Sequence, residues 1–403
     1  MLKKISFVAV GNMFNALLGF IYLWAVANSL PVEDFGKYSL FISLTVVIGR
    51  LTDFGTNSTF VAGSILNPSK KKAFVPAKIP LFIGAIILGV TALHVLELAT
   101  MALILIFLGS VLAYALNYTL YAFYQKEEKY TYLVLLYTLP ALIKALAAPL
   151  FYFGIVNPTV PLTTAIFGLS IFGGALLVLK DNPLKKLNLK IDKSTWKLLL
   201  EAWPAGVSQT ITEIWSPLSN AIAKIIQGFS DVGVFALANK VSVVFALLSL
   251  SIFSVLLPKN AKRKKQELKY SFDEAALLAM LLLVMGVLGV IGSKFVIANF
   301  FGPQFEASLD LLNILVFAGA LAAVASFMEN YFFIEESTGK ILAINGLKLG
   351  TFILSVLLLV PGMQLRGLAL AQLLASIVAV LGTAVFIFAK NESPLKTLPK
   401  IQG

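Results

Sequence analysis

Apolar residues run along this chain in blocks of about twenty, the length a helix needs to cross the hydrocarbon of a bilayer. Short polar breaks separate the blocks, and no strand-like alternation competes with them. Twelve segments qualify, at roughly 5–30, 38–64, 79–96, 100–124, 131–154, 160–179, 198–226, 233–257, 274–296, 308–334, 341–359 and 367–388. The pattern predicts an all-α polytopic membrane protein of about 12 transmembrane helices with short connections. The longest inner connection, "KDNPLKKLNLKIDKSTWK" (180–197), separates six spans from six. The expected organisation is a six-helix bundle over 1–179, a basic linker over 180–197, a second bundle over 198–390 and a tail over 391–403.

Composition agrees with the pattern. Hydrophobic residues make up 59% of the 403 residues and charged ones 13%, about half the charged share of a soluble domain. The chain has no cysteine and a single histidine, His94, so disulfides, thiol chemistry and a histidine metal site are excluded, and no cofactor is implied. The first apolar run is longer than the roughly 7–15 residues of a signal peptide's apolar region, which reads as a retained first span.

The net charge of +12 raises nucleic acid as a partner, and its distribution removes it. With the N-terminus inside, 24 of the Lys and Arg residues fall in inner segments and two, Lys37 and Arg366, in outer loops. The positive-inside rule then predicts both termini in the cytoplasm. Trp196 and Trp203 suit the inner interface.

Six spans per half give the halves the same orientation, so any repeat is parallel. "DFGKYSL" (34–40) follows the first span and "DVGVFAL" (231–237) follows the seventh. Asp34, Gly36 and Leu40 recur at an offset of 197 as Asp231, Gly233 and Leu237, with Tyr38 opposite Phe235.

Charge inside the spans is the candidate chemistry. Arg50, Lys144, Lys224, Lys240 and Lys348 lie within apolar segments, and Lys294 lies at a span end. A charge at a helix centre costs about 2.5–3.5 kcal/mol on insertion scales, so these groups are expected to face protein or a water-filled cavity. Arg50 and Asp53, at i and i+3 of "VIGRLTDFGTN" (47–57), are expected on one helix face. They are either a self-neutralised structural pair or part of a basic cavity. Asp53, Glu213 and Glu329 are the candidate charge partners or ion-coupling groups.

Span seven, "WPAGVSQTITEIWSPLSNAIAK" (203–224), adds polarity. Gln209, Glu213, Ser216 and Asn220 recur at helical spacing, and Pro204 and Pro217 are candidate hinges because proline removes a backbone bond. Asn12 and Asn15 share a face of span one and either line a cavity or hydrogen-bond between helices. Two occurrences of "DFG" lack any accompanying kinase or phosphate-loop motif. The short outer loops leave no room for the catalytic domain of a membrane glycosyltransferase or polymerase, so the chain is not expected to be an enzyme.

"LPVEDFGKYSLFISL" and "RLTDFGTNSTFV" resemble the opening of O-antigen-type polysaccharide flippases. These belong to the multidrug/oligosaccharidyl-lipid/polysaccharide exporter superfamily. The long stretch around span seven, "SVLLPKNAKRKK" and "FFGPQFEASLDLLNIL" resemble later parts of the same family in order. Family members often carry a carboxylate where Asn220 stands, so that group's role is not carried over. The resemblance implies a MATE-like exporter fold. It also implies translocation of an undecaprenyl-diphosphate-linked oligosaccharide from the inner to the outer leaflet of a bacterial inner membrane by alternating access. Arg50, Lys144, Lys224, Lys240 and Lys348 would then meet the diphosphate, since Arg offers a fork and Lys a point charge to phosphate oxygens. Asn12, Asn15, Gln209 and Asn220, with Tyr118, Tyr121 and Tyr124, suit hydroxyl-rich sugars. A coupled proton or sodium ion and a polysaccharide polymerase are the further partners considered. Rival readings are a multidrug or cation exporter of the same superfamily, which needs an acidic cavity, and another lipid-linked polysaccharide flippase.

Overall fold

A computed structural model describes residues 2–63, 68–180, 189–242, 295–329, 331–332 and 338–388, with single residues and short runs between 280 and 292. Among them, eight helical runs are long and apolar enough to cross a membrane. Packing divides the chain into two compact units. One is Met1–Val241 with Gly292–Leu312, the other Ser242–Ile291 with Asn313–Gly403.

The first unit begins with α1 (Leu2–Ser29) and α2 (Val32–Leu51), then α3 (Thr56–Gly63) and α4 (Pro68–Val95). It continues through α5 (Met101–Lys126), α6 (Tyr130–Tyr152), α7 (Val160–Leu169) and the one-turn α8 (Phe172–Ala175). After the linker come α9 (Lys193–Glu213), α10 (Trp215–Gln227) and α11 (Phe229–Ser242). The second unit holds most of α12 (Ser308–Met328) and all of α13 (Thr338–Phe388).

Local chemistry accounts for several ends. α2 starts after Pro31 and carries Glu33 and Asp34 in its first turn, where carboxylates meet the positive end of the helix dipole. The Thr159 hydroxyl accepts from the Leu162 N–H at 3.4 Å. Asp192 caps α9 by accepting from the N–H groups of Ser194 at 2.9 Å and Thr195 at 3.1 Å. The Thr195 hydroxyl accepts in return from the Asp192 N–H at 3.2 Å, a capping box. The Ser194 hydroxyl and then the Thr195 N–H hold the exposed Asp192 carboxyl below its ordinary range.

Three expectations need correction. The second span is not one helix: α2 ends at Leu51 and α3 begins at Thr56. Between them Phe54 and Gly55 have φ of 38° and 76°. Span seven is likewise interrupted at Ile214, between α9 and α10. Pro217 supplies no N–H for the carbonyl of residue 213, so the break falls one turn before it; Pro204 stays inside α9. Lys78, counted above with the inner loops, lies within α4 and is 6% exposed. The last two spans lie within α13 as two helices that meet at a kink at Gln364, whose angles are non-helical (φ 50°, ψ −128°). Lys294 and the basic stretch 259–269 lie outside the described residues.

The outer face of α1 exposes Val10, Met13, Phe14, Leu17 and Ile21, a stripe at helical spacing suited to lipid. Its other side packs on α6 and α7. The Tyr22 hydroxyl donates to the Thr163 carbonyl at 2.7 Å, and Trp24 lies 4.5 Å from Tyr152 between ring centroids. The sequence repeat meets itself in this unit. A Cβ on Gly36 would strike the Phe229 carbonyl, and one on Gly233 would strike the Val32 carbonyl. Val32 and Phe229 are themselves 197 apart, so each glycine packs on the counterpart of the residue the other packs on. A two-fold axis between the repeats requires this reciprocity.

Candidate functional site: a charged knot at the α2–α3 break

"RLTDFGTN" folds as a helix end, a turn and a new helix start. The Thr52 hydroxyl bonds the Gly49 carbonyl at 2.6 Å, and Gly55 takes the left-handed turn that side chains disfavour. Asp53 then serves the new helix. Its Oδ1 accepts from the Asn57 N–H at 2.8 Å and from the Thr56 hydroxyl at 3.1 Å. Short polar side chains that bond nearby backbone favour such a break.

Lys78 closes the site from α4. Its Nζ lies 2.9 Å from Asp53 Oδ1 and 2.8 Å from Asn57 Oδ1, and 4.9 Å from the Phe74 ring centroid. Asn57 Nδ2 donates to the Tyr118 carbonyl at 2.9 Å. Arg50 is farther from the carboxylate, with Nη1 3.7 Å from Asp53 Oδ2, and its side chain is 23% exposed while that of Asp53 is 1% exposed. Its guanidinium carbon lies 4.9 Å from the Tyr118 ring centroid, a cation–π distance. Arg50 and Asp53 do meet as expected from their spacing, yet not on one helix face, because Asp53 lies beyond the end of α2. Two cations share one carboxylate, which leaves the three groups with a net charge of +1.

α9 backs the turn. A Cβ on Gly206 would lie 2.7 Å from the Phe54 ring and carbonyl oxygen, and one on Gly55 would press on the backbone of Ala202 and Gly206. Beneath it, Phe60 and Phe74 stack with centroids 4.1 Å apart and Phe123 packs edge-on.

The other candidate cations are dispersed. Lys224 pairs with Glu97, in the connection between α4 and α5, at 2.9 Å. Lys144 on α6 lies 4.4 Å from the Phe167 ring centroid, and Lys240 on α11 lies 5.6 Å from that of Tyr38. Lys348 belongs to the second unit, where it interacts electrostatically with Glu329. Among the polar candidates, Asn220 Nδ2 donates to the Ser43 hydroxyl at 3.1 Å, and Gln209 Nε2 reaches the Ser58 hydroxyl at 3.4 Å. Asn12 is exposed on α1, while the amide atoms of Asn15 are buried without a hydrogen-bond partner among the described residues. The Glu213 and Ser216 side chains lie outside the described residues. Of the tyrosines, Tyr118 joins the site. Tyr124 is buried in a core with Tyr132.

Sequence reasoning missed Lys78 because its partner is 25 residues away in the chain and it sits at the very edge of an apolar window. A legible signal was "TDFGTN", whose Asp, Gly and Asn mark a turn.

The fold and this site can be set beside known proteins. A chain described as lipid II flippase MurJ in an inward closed conformation superposes with a TM-score of 0.76 at 15% identity, over 95% of this chain and 87% of that one. An inward-facing multidrug resistance MATE family transporter of the MOP superfamily gives 0.72 at 14% identity, over 94% and 96%. The chain therefore has the exporter fold, all-helical and multi-pass. In sequence it is 23% identical over 395 residues to the capsular polysaccharide biosynthesis protein CapF of Staphylococcus aureus, covering 96% of this chain and 99% of that protein. The profile of the polysaccharide biosynthesis protein family matches residues 1–264, and the chain belongs to that family.

Proposed function

We propose that the chain is a flippase for an undecaprenyl-diphosphate-linked oligosaccharide. It carries a surface-polysaccharide repeat unit of the O-antigen kind from the cytoplasmic to the outer leaflet of a bacterial inner membrane. The observation that carries the reading is the sign of the charge within the membrane. Among the described buried and partly buried groups on the helices of the first unit, Lys37, Arg50, Lys78, Lys126, Lys144, Lys224 and Lys240 stand against Asp34, Asp53 and Asp231. A basic interior suits a diphosphate and repels the cations a drug exporter carries. The capsular name of the S. aureus relative supports the glycan class and leaves a capsular repeat unit as the second reading.

In this reading both termini are cytoplasmic, and two six-helix halves divided at 180–197 alternate access around a site that includes Arg50, Lys144, Lys224, Lys240 and Lys348. Asn12, Asn15, Gln209 and Asn220 face sugar hydroxyls, and Pro204 and Pro217 permit bending. Asp53 is already neutralised by two cations, so coupling to H+ or Na+ falls to Glu213 or Glu329. A polysaccharide polymerase would take the flipped unit.

Arg50→Ala should abolish surface polysaccharide and accumulate the lipid-linked repeat unit in the inner leaflet at a normal protein level. Arg50→Lys should retain part of the export, because an ammonium supplies the charge but not the fork. Wild-type export by Arg50→Ala would sink the assignment of Arg50. Cells deleted for the gene that keep full surface polysaccharide would sink the flippase itself.

A further inference from the structure

The connection after the third span and the one after the ninth each reach across to the other half of the chain, as the spans count it, and both do so within the first unit. The end of α4 is a Schellman turn. The Leu98 N–H donates to the Leu93 carbonyl at 2.8 Å and the Glu97 N–H to that of His94 at 3.1 Å, with Glu97 at φ 60°. Glycine is the usual residue at this place, because a side chain strains it. Here a glutamate takes it, and its carboxylate meets Lys224 near the end of α10 at 2.9 Å. The connection at 302–307 has glycine at its own turn, Gly302 at φ 76°, and is tied by neutral groups instead. The Phe300 carbonyl lies at a helix end, where carbonyls lack helical partners. It accepts from Trp24 Nε1 at 2.8 Å and from Asn28 Nδ2 at 2.9 Å, both on α1. Gln304 Nε2 donates to the Ala27 carbonyl at 3.1 Å.

Ala27 and Lys224 are 197 apart, the offset of the repeat. Each connection therefore lands on the counterpart of the place where the other lands, at the end of the first span of the opposite half. The same reciprocity joins Gly36 and Gly233 through the carbonyls of Phe229 and Val32. These contacts lie at one face of the bundle, the outer one on the orientation proposed above. The equivalence ends at the chemistry. One tie is an ion pair, with the Glu97 side chain 73% exposed and that of Lys224 13% exposed; the other is a set of neutral hydrogen bonds. One turn below Lys224 on α10, Asn220 Nδ2 donates to the Ser43 hydroxyl on α2 at 3.1 Å.

We propose that these connections are two crossed straps that clamp the outer ends of the halves together, and that release of Glu97 from Lys224 is a required step in opening this face. The inference rests on the flippase reading for which face is outer, and on the contacts alone for the clamp. A motion that draws the ends of α1 and α10 away from the opposite half breaks both straps. The strained turn at Glu97 is kept because only a side chain can reach Lys224. A glycine there would relax the turn and take the carboxylate away from the ammonium. Salt reaches the ionic strap through the exposed Glu97, so this strap answers to ionic strength and the neutral one does not.

The chain has no cysteine, so S43C in the full protein serves as a single reporter beneath the straps. Its rate of labelling by a membrane-impermeant maleimide is read on spheroplasts. E97Q should speed labelling about threefold or more, the scale of an ion pair with one exposed partner. The exchange E97K/K224E should fall back toward the parent rate, and W24F/N28A should speed labelling as E97Q does. Raised salt should accelerate the parent and W24F/N28A but not E97Q. E97G guards against misfolding: glycine suits the turn, so its thermal midpoint should stay close to the parent's while it labels like E97Q. Parent rates in E97Q, E97G and W24F/N28A overturn the inference, as does a reporter that reacts in none of them. An E97K/K224E rate as high as that of E97Q removes the ionic strap. Labelling that the same variants speed only in inverted vesicles refutes the proposed orientation and leaves the straps standing. Polysaccharide export by the deletion strain reads the flippase assignment separately, so either claim can fail without the other.

Discussion

Asp53 is nearer to Lys78 than to Arg50, by 2.9 Å against 3.7 Å, and this order sets what each residue does. The Lys78 ammonium is buried and spends its hydrogens on Asp53 and Asn57. Arg50 is the more exposed cation, with 23% of its side chain accessible against 7% for Lys78. Removing one partner of a buried ion pair strands the other charge. Lys78→Met should therefore destabilise the protein by about 3 kcal/mol, at the low end of the range for such losses because Arg50 and the Asn57 N–H still contact the carboxylate. Asp53→Asn in the same chain should return much of that loss, since it removes the stranded charge. Thermal midpoints of the two single variants and the double variant measure this coupling. Additive losses would mean that the pair does not interact as its geometry indicates.

At the scale of elements, the break between α2 and α3 is held from outside as well as from within. Gly55 and Gly206 let the turn and α9 approach closely: a Cβ on Gly55 would meet the backbone of Ala202 and Gly206, and one on Gly206 would meet the ring and carbonyl oxygen of Phe54. Gly206→Ala should cost about 1–3 kcal/mol, the range for forcing an extra methyl group into a packed site. Gly55→Ala should cost at least as much, because its φ of 76° adds strain. Gly19→Ala in α1 meets open space and should leave the midpoint unchanged or slightly raised, since alanine is the better helix former. If Gly206→Ala behaves like Gly19→Ala, the close approach to α9 is wrong. The short repeat around Gly36 and Gly233 has the same physical basis. A glycine survives at both places because each admits the carbonyl of the other repeat.

At the scale of the molecule, the exporter fold supplies two kinds of surface, one for lipid and one for charge. The Lys and Arg bias predicts which way it faces. A fluorescent protein fused to the C-terminus should fluoresce, as such reporters do in the cytoplasm, and alkaline phosphatase fused there should be inactive. Alkaline phosphatase inserted at Asn157, in an outer loop by the same count, should be active. The opposite pattern would invert the orientation and with it the direction of transport. The superpositions over nearly the whole chain agree with the all-helical, multi-pass exporter fold read from hydropathy. Eight helical runs of sufficient length and apolarity stand among the described residues.

By itself, the sequence determined what depends on solvent preference along the chain: helical spans, their order, and the unusual presence of charge within them. Apolar run length and charge bias are one-dimensional properties, so they can be read without coordinates. The spacing of Arg50 and Asp53 also sufficed to bring the two together. Only the tertiary structure decided that Asp53 lies beyond a helix end rather than on a helix face, and that its nearest cation comes from α4. It also placed Lys224 beside Glu97 and, among the described residues, Lys144 and Lys240 beside aromatic rings and no carboxylate. A cation's role in a low-dielectric interior is set by which counter-charge lies within a few ångströms, and helices distant in sequence bring those counter-charges to it.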